Sequence, residues 1–136
     1  EQAAGTGFVE GSGRLNIEHL HLHVRDRALA EEFYCRWFGM RIARRGEHLT
    51  FLTDDGGFDL ALSQDAEPGT LPNWFHFGFR LASPDEVKDL HRRMTQEGVQ
   101  VPKPMYADDT LVSFRCADPD GYPIEIYWEV PGAPLD

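Results

Sequence analysis

The 136-residue chain is poor in cysteine, short of positive charge and free of long apolar runs. Its two cysteines, Cys35 and Cys116, follow no disulfide or metal-site spacing, which predicts free thiols and a reducing cytoplasm. Lysine and arginine total 13 against 23 acidic residues, a formal charge of −10. Clustered cations drive phosphate binding, so this balance argues against nucleic acid and anionic membranes as partners and suits a cationic ligand. No stretch approaches the roughly 20 apolar residues of a membrane-spanning helix. What is present is a globular composition, 41% hydrophobic and 12% aromatic, in a chain of about one domain's length.

Residues 1–14, EQAAGTGFVEGSGR, carry no period and read as a flexible tail; 131–136 read as a short C-terminal tail. Between them, residues 15–130 divide into two units, 15–64 and 72–130, with the same order of elements. In the first, LNIEHLHLHV alternates like a strand, with Ile17 on the histidine side and Leu20, Leu22 and Val24 opposite. Asp26 is placed to cap a helix over RALAEEFYCRWF, where Leu29, Phe33 and Trp37 recur at helical spacing and Gly39 ends the run. MRIARR, HLTFLT and FDLALS follow as three short strands. In the second unit NWFHFGFRL alternates, SPDEVKDLHRRMTQEG opens with a capping box and a proline, and VQVP, TLVSFRC and YPIEIYW supply three more strands. The expectation is an α+β fold: two tandem βαβββ units forming a cupped mixed sheet, helices outside and a cleft inside.

The residues with chemistry fall at matching places in this repeat. His19 lies on the first strand of unit one, His76 near the first strand of unit two, and Glu125 on the last strand after the turn DPDG. Singly, a strand histidine is more often a hydrogen-bonded polar residue than a ligand. Glu125, between Ile124 and Ile126 on a strand expected to be central, is harder to explain without a cation. Two imidazoles and a carboxylate suit Fe, Mn, Ni, Co or Zn and leave positions open for a substrate. Asp59, in FDLALS, shares a face with Ala61 and is a fourth candidate. His21 and His23 share the side of His19 and are expected to line the cleft.

Three stretches, EHLHLHVRDRALAEEFYCRWFGMRI, HFGFRLASPDEVKDL and FRCADPDGYPIEIYW, make residues 15–130 resemble the vicinal oxygen chelate superfamily. That superfamily includes glyoxalase I, the extradiol ring-cleaving dioxygenases, the fosfomycin-resistance enzymes and the bleomycin-resistance proteins. The resemblance implies one divalent metal per site, held by His19, His76 and Glu125 and acting as a Lewis acid on a small substrate with adjacent oxygens. Asp59 matches the place where glyoxalase I has a glutamate ligand; being one methylene shorter, it implies a water-bridged contact or a general base. Asp59 and Glu125 are therefore the expected catalytic carboxylates. The expected substrate contacts are His21, His23, Trp74, Tyr106, Arg115 and Tyr127.

The implied activity is a glyoxalase-like lyase or isomerase. A ring-cleaving dioxygenase is the first alternative, although Arg115 stands where those enzymes usually have tyrosine. The second is a metal-free cup that sequesters an aromatic cationic drug, favoured by the acidic balance and by Trp37, Trp74, Tyr106 and Trp128. Relatives with two such units commonly exchange them between chains. This implies a C2 homodimer of about 31 kDa, twice the 15.5 kDa chain, in which His19 of one copy meets His76 and Glu125 of the other.

Overall fold

The computed structural model describes residues 15–135, so the expected tail at 1–14 lies outside the described residues. The first unit runs β1 (His19–Val24), α1 (Arg27–Phe38), β2 (Arg41–Arg45), β3 (Leu49–Thr53) and β4 (Asp59–Gln64). The second runs β5 (Phe77–Arg80), α2 (Pro84–Gln96), β6 (Lys103–Ala107), β7 (Leu111–Ala117) and β8 (Pro123–Glu129). Each unit forms one four-stranded mixed sheet, in the orders β1-β4-β3-β2 and β5-β8-β7-β6. In each, the strand before the helix pairs in parallel with the last strand of the unit, and the remaining pairs are antiparallel. This is the expected α+β fold of two tandem βαβββ units.

Local signals fix the helix ends. The Asp26 carboxylate accepts the Leu29 N–H at 3.1 Å, and Gly39 closes α1 in the left-handed region at φ 66°. Ser83 accepts the Glu86 N–H at 3.2 Å to open α2. The alternation of the strands then sorts side chains by face. Leu22, Val24, Leu52, Leu60 and Leu62 are buried with Ala30 and Tyr34 of α1; Val112, Phe114, Cys116, Ile124 and Ile126 are buried with Val87, Leu90 and Met94 of α2. Removing each such side chain from water contributes about 1.5–3 kcal/mol. Burial also pushes the Cys116 thiol up to about 12, so this cysteine is an inert core residue. The other side of each sheet is left for polar residues.

Contacts between the units come from helix ends and turns. Phe38 stacks on Phe79 with ring centroids 4.0 Å apart, and Arg36 pairs with Glu97. The buried Tyr34 hydroxyl donates to the Asp118 carboxylate at 2.7 Å, and the Tyr122 hydroxyl donates to the His23 carbonyl at 2.6 Å.

Four local expectations are corrected. Leu29 is not on the buried stripe of α1 but 49% exposed; the buried positions are Ala30, Glu31 and Tyr34. Two of these are polar and are drawn inward by hydrogen-bond partners. VQVP is not a strand: Val99 continues the end of α2 with its N–H on the Met94 carbonyl, and the strand begins at Lys103. Strand β5 covers only Phe77–Arg80, so Trp74 and Phe75 sit in the preceding turn. Strand β1 starts at His19, leaving Ile17 exposed ahead of it.

Glu31 is the buried acid of the first unit. Its carboxylate accepts from Arg45 Nη2 at 2.8 Å and from the fully buried Thr50 hydroxyl at 2.5 Å. The Arg45 hydrogen bond holds it below the ordinary value of 4.5, against the opposing effect of burial. The unfolded chain therefore binds this proton more readily. The stability gained is complete above about pH 4.5 and is lost as pH falls through the lower folded value. Glu31→Gln should destabilise the protein by about 1–3 kcal/mol at pH 7. In urea titrations the gap to wild type should narrow toward pH 3; a gap independent of pH would refute the assignment.

Candidate metal and substrate site

Alternation places the candidate residues of each unit on the sheet side away from its helix. In the second unit, strand register aligns Lys103, Arg115, Glu125 and Gly78 in one row across β6, β7, β8 and β5. The next row aligns Ser113, Tyr127 and Arg80, with Tyr106 opposite Ser113. The buried residues Phe114, Ile124 and Ile126 alternate with these and point to α2.

His76 directly precedes β5, and its Nε2 lies 3.1 Å from Glu125 Oε1. Its other ring nitrogen, Nδ1, lies 3.2 Å from the Trp74 carbonyl. With Nδ1–H donating to that carbonyl, Nε2 turns a lone pair toward the carboxylate, the arrangement a metal-bound histidine uses. Two donors about 3 Å apart match neighbouring positions around one ion with bonds of about 2.0–2.2 Å. The pair therefore fits a divalent cation. Glu125 is half-buried, its side chain 25% exposed, rather than enclosed as its isoleucine neighbours suggest. Arg115 sits beside the pair, with Nη2 3.4 Å from His76 Nε2 and 3.9 Å from Glu125 Oε1.

In the first unit, β1 and β4 run parallel with His19 opposite Asp59, His21 opposite Ala61 and His23 opposite Ser63. Two of the three histidines have their own partners. His21 Nε2 is 2.7 Å from the Ser63 hydroxyl, and His23 Nδ1 is 2.8 Å from Asp65. That contact with His23 lowers the Asp65 carboxyl below its ordinary value. His19 and Asp59 form a second pair of candidates, one strand apart on the same face.

Thus His76 and Glu125 are brought together, as are the His19 and Asp59 strand positions, but the two pairs lie on different sheets. Among the described residues no group of three histidine, cysteine or acidic side chains is close enough to hold one ion. His19 and Gly78 do border a common, largely apolar cleft of about 490 Å³, between the outer edges of β1 and β5. His76, Glu125 and Tyr127 border a second cleft, of about 470 Å³. Trp74 is 71% exposed in the turn before His76. The Tyr106 hydroxyl donates to Asp108 at 2.6 Å, which brings that carboxyl down to about 2.

Two residues of the site carry signals the sequence reading passed over. Lys103 was hidden by the misplaced strand at VQVP. Gly78 stands inside a strand pattern, a common mark of close backbone approach. A Cβ at Gly78 would lie 2.9 Å from the Glu125 carbonyl oxygen and 3.4 Å from Glu125 Cβ.

The two repeated sheets thus form an α+β scaffold that carries a histidine and a carboxylate at neighbouring positions on each polar side. The chain belongs to the glyoxalase/bleomycin resistance protein/dioxygenase superfamily, whose family model matches residues 16–126. An uncharacterized protein of Pseudomonas aeruginosa is 30% identical over 129 residues, 87% of this chain and 91% of the relative. A structure described as a possible glyoxalase, from Bacillus cereus, is 32% identical with a TM-score of 0.72, over 83% of this chain and 98% of that one. A lactoylglutathione lyase from Agrobacterium tumefaciens shares the fold at 21% identity and a TM-score of 0.68, over 86% of this chain and 96% of that one.

Because the atom in the way at Gly78 is backbone, the strand itself must shift to admit a side chain. Gly78→Ala should destabilise the protein by about 1–3 kcal/mol, the usual range for overpacking. Thermal melting checks this; an unchanged melting temperature would mean that β5 and β8 are not held this closely.

Proposed function

We propose that this protein is a divalent-metal enzyme that moves a proton on a small substrate with adjacent oxygens, a glyoxalase-like lyase or isomerase. The observation that carries the reading is the His76–Glu125 pair, 3.1 Å apart with the outer ring nitrogen of His76 anchored on the Trp74 carbonyl. His19, His76 and Glu125 would hold the ion. When bound, it supplies Lewis-acid polarisation of the two substrate oxygens. The chain's own residues do the rest. Asp59 would take the proton from the hydroxyl-bearing carbon and deliver it to the adjacent carbonyl carbon, while the hydroxyl proton passes to the other oxygen. Tyr127, His21 and His23 orient the substrate.

The separation of the two pairs within one chain supports a site completed by a second copy. In this reading a C2 homodimer holds two composite sites, each with His19 and Asp59 from one chain and His76 and Glu125 from the other. Mixed His19→Ala and Glu125→Ala proteins should then regain one intact site per heterodimer. Light scattering that finds only monomer at micromolar concentration would defeat this.

Metal content tests the reading directly. After saturation with Fe, Mn, Ni, Co or Zn and desalting, wild type should keep about one ion per chain, and Glu125→Ala should lose it. No retained ion with any metal would favour a metal-free binding cup, and activity confined to the iron form would favour ring cleavage. Asp59→Asn should keep the metal and lose turnover. Loss of metal in that variant would make Asp59 a ligand, and loss of neither would make it a bystander.

A further inference from the structure

Resting on that reading, we infer that Lys103 and Arg115 form an anion subsite beside the metal ligands, and that the substrate carries a carboxylate in addition to its two adjacent oxygens. The chain is strongly acidic, with only 13 lysines and arginines, yet two of them stand side by side next to Glu125. Lys103 and Arg115 are directly opposed on β6 and β7, and Arg115 is directly opposed to Glu125. Both cations line a cleft of about 610 Å³ walled by the linker residues 69–73 and the turn at 120–123. It is distinct from the cleft that His76 and Glu125 border, and Arg115 links the two by reaching His76 Nε2 at 3.4 Å.

The other charges of this cleft cancel. Arg25 pairs with Asp120, whose side chain is 5% exposed. Lys103 has no carboxylate within ion-pair distance among the described residues. Arg115 reaches only Glu125, at 3.9 Å, and Glu125 is closer to His76. Once Glu125 is committed to a metal, both cations face the cleft with no anion of their own.

Arg115 is also held at a cost. Its Nε is buried and finds no acceptor among the described residues, a state buried polar groups rarely adopt. A purely structural side chain on this polar face would not need to be arginine. The position is explained if the Nη atoms must be presented to the cleft. A guanidinium fork and an ammonium match the two oxygens of a carboxylate.

The test uses metal-free protein at low salt, so that it is read independently of metal binding. Malonate, its uncharged diamide and inorganic phosphate are titrated calorimetrically, and metal retention is measured separately by desalting. Malonate should bind saturably and the diamide should not. Arg115→Gln should weaken malonate at least tenfold and Lys103→Gln at least threefold, each with an unchanged thermal melt. Lys103 is exposed on β6, so its variant stays informative if Arg115→Gln folds poorly. Arg115→Gln should also hold metal as tightly as wild type or tighter, since a cation beside the ligands is removed. No saturable malonate binding, or equal binding by both variants, would overturn the subsite; phosphate bound in preference to malonate would overturn the carboxylate assignment. Loss of metal retention with intact malonate binding would defeat the metal reading and leave the subsite standing.

Discussion

The Asp118 carboxylate organises both the second half of the site and the contact between the units. One oxygen accepts the backbone N–H groups of Asp120 and Tyr122, each at 2.9 Å, and so shapes the turn joining β7 to β8. The other accepts the Tyr34 hydroxyl from α1 of the first unit at 2.7 Å. The group is 4% exposed, and burial raises its pKa despite these donors. Burial likewise raises Tyr34 well above its ordinary value, so Tyr34 stays a hydroxyl donor at neutral pH. The register that follows this turn sets Arg115 opposite Glu125. The same turn grips the end of β1, through Tyr122 on the His23 carbonyl and Asp120 on the Arg25 N–H. One acid thus fixes a strand register, a turn and the seat of one unit on the other.

Most of this scaffold was legible because it follows from local rules. Alternation located seven of the eight strands and assigned Asp59 with Ala61, and Glu125 against its isoleucines, to the side away from the helices. Capping located both helices, since Asp26, Ser83 and Gly39 act through bonds within one turn of their own position. Two of the failures share one cause, a distant partner. Leu29 fits the helical stripe of α1, yet Tyr34 and Glu31 take the buried positions because Asp118, Arg45 and Thr50 satisfy them. Residues 99–102 look like a strand, but the Gln100 carbonyl takes the Ala117 N–H from outside a regular ladder, and the ladder starts later.

The candidate site was legible residue by residue and only partly as a constellation. His76 and Glu125 are 49 positions apart in sequence, and nothing short of the parallel pairing of β5 with β8 brings them together. The His19 and Asp59 positions are joined the same way by β1 and β4. The repeat places the candidates in the same way twice: each βαβββ unit makes one parallel contact between its first and last strands, and each contact brings a candidate histidine near a carboxylate, His19 with Asp59 and His76 with Glu125. Among the described residues no further strand pairs with the outer edges of β1 and β5, and both edges border a shared apolar cleft.

A charge of −10 suits a cationic ligand when averaged over the surface. At the site the sign is set by a few strand positions, and fields at short range depend on which charges are already paired. Asp120 is spent on Arg25, Asp65 on His23 and Glu31 on Arg45. Some of the acids that carry the bulk charge are thus tied up in ion pairs, while Lys103 and Arg115 stand beside Glu125, the carboxylate proposed to hold a metal. A divalent ion on Glu125 and His76 would make that corner more positive still, so the group best accommodated next to it is an anion. On the proposed reading, the acidic exterior repels other anions while the Lys103–Arg115 corner takes the one it admits.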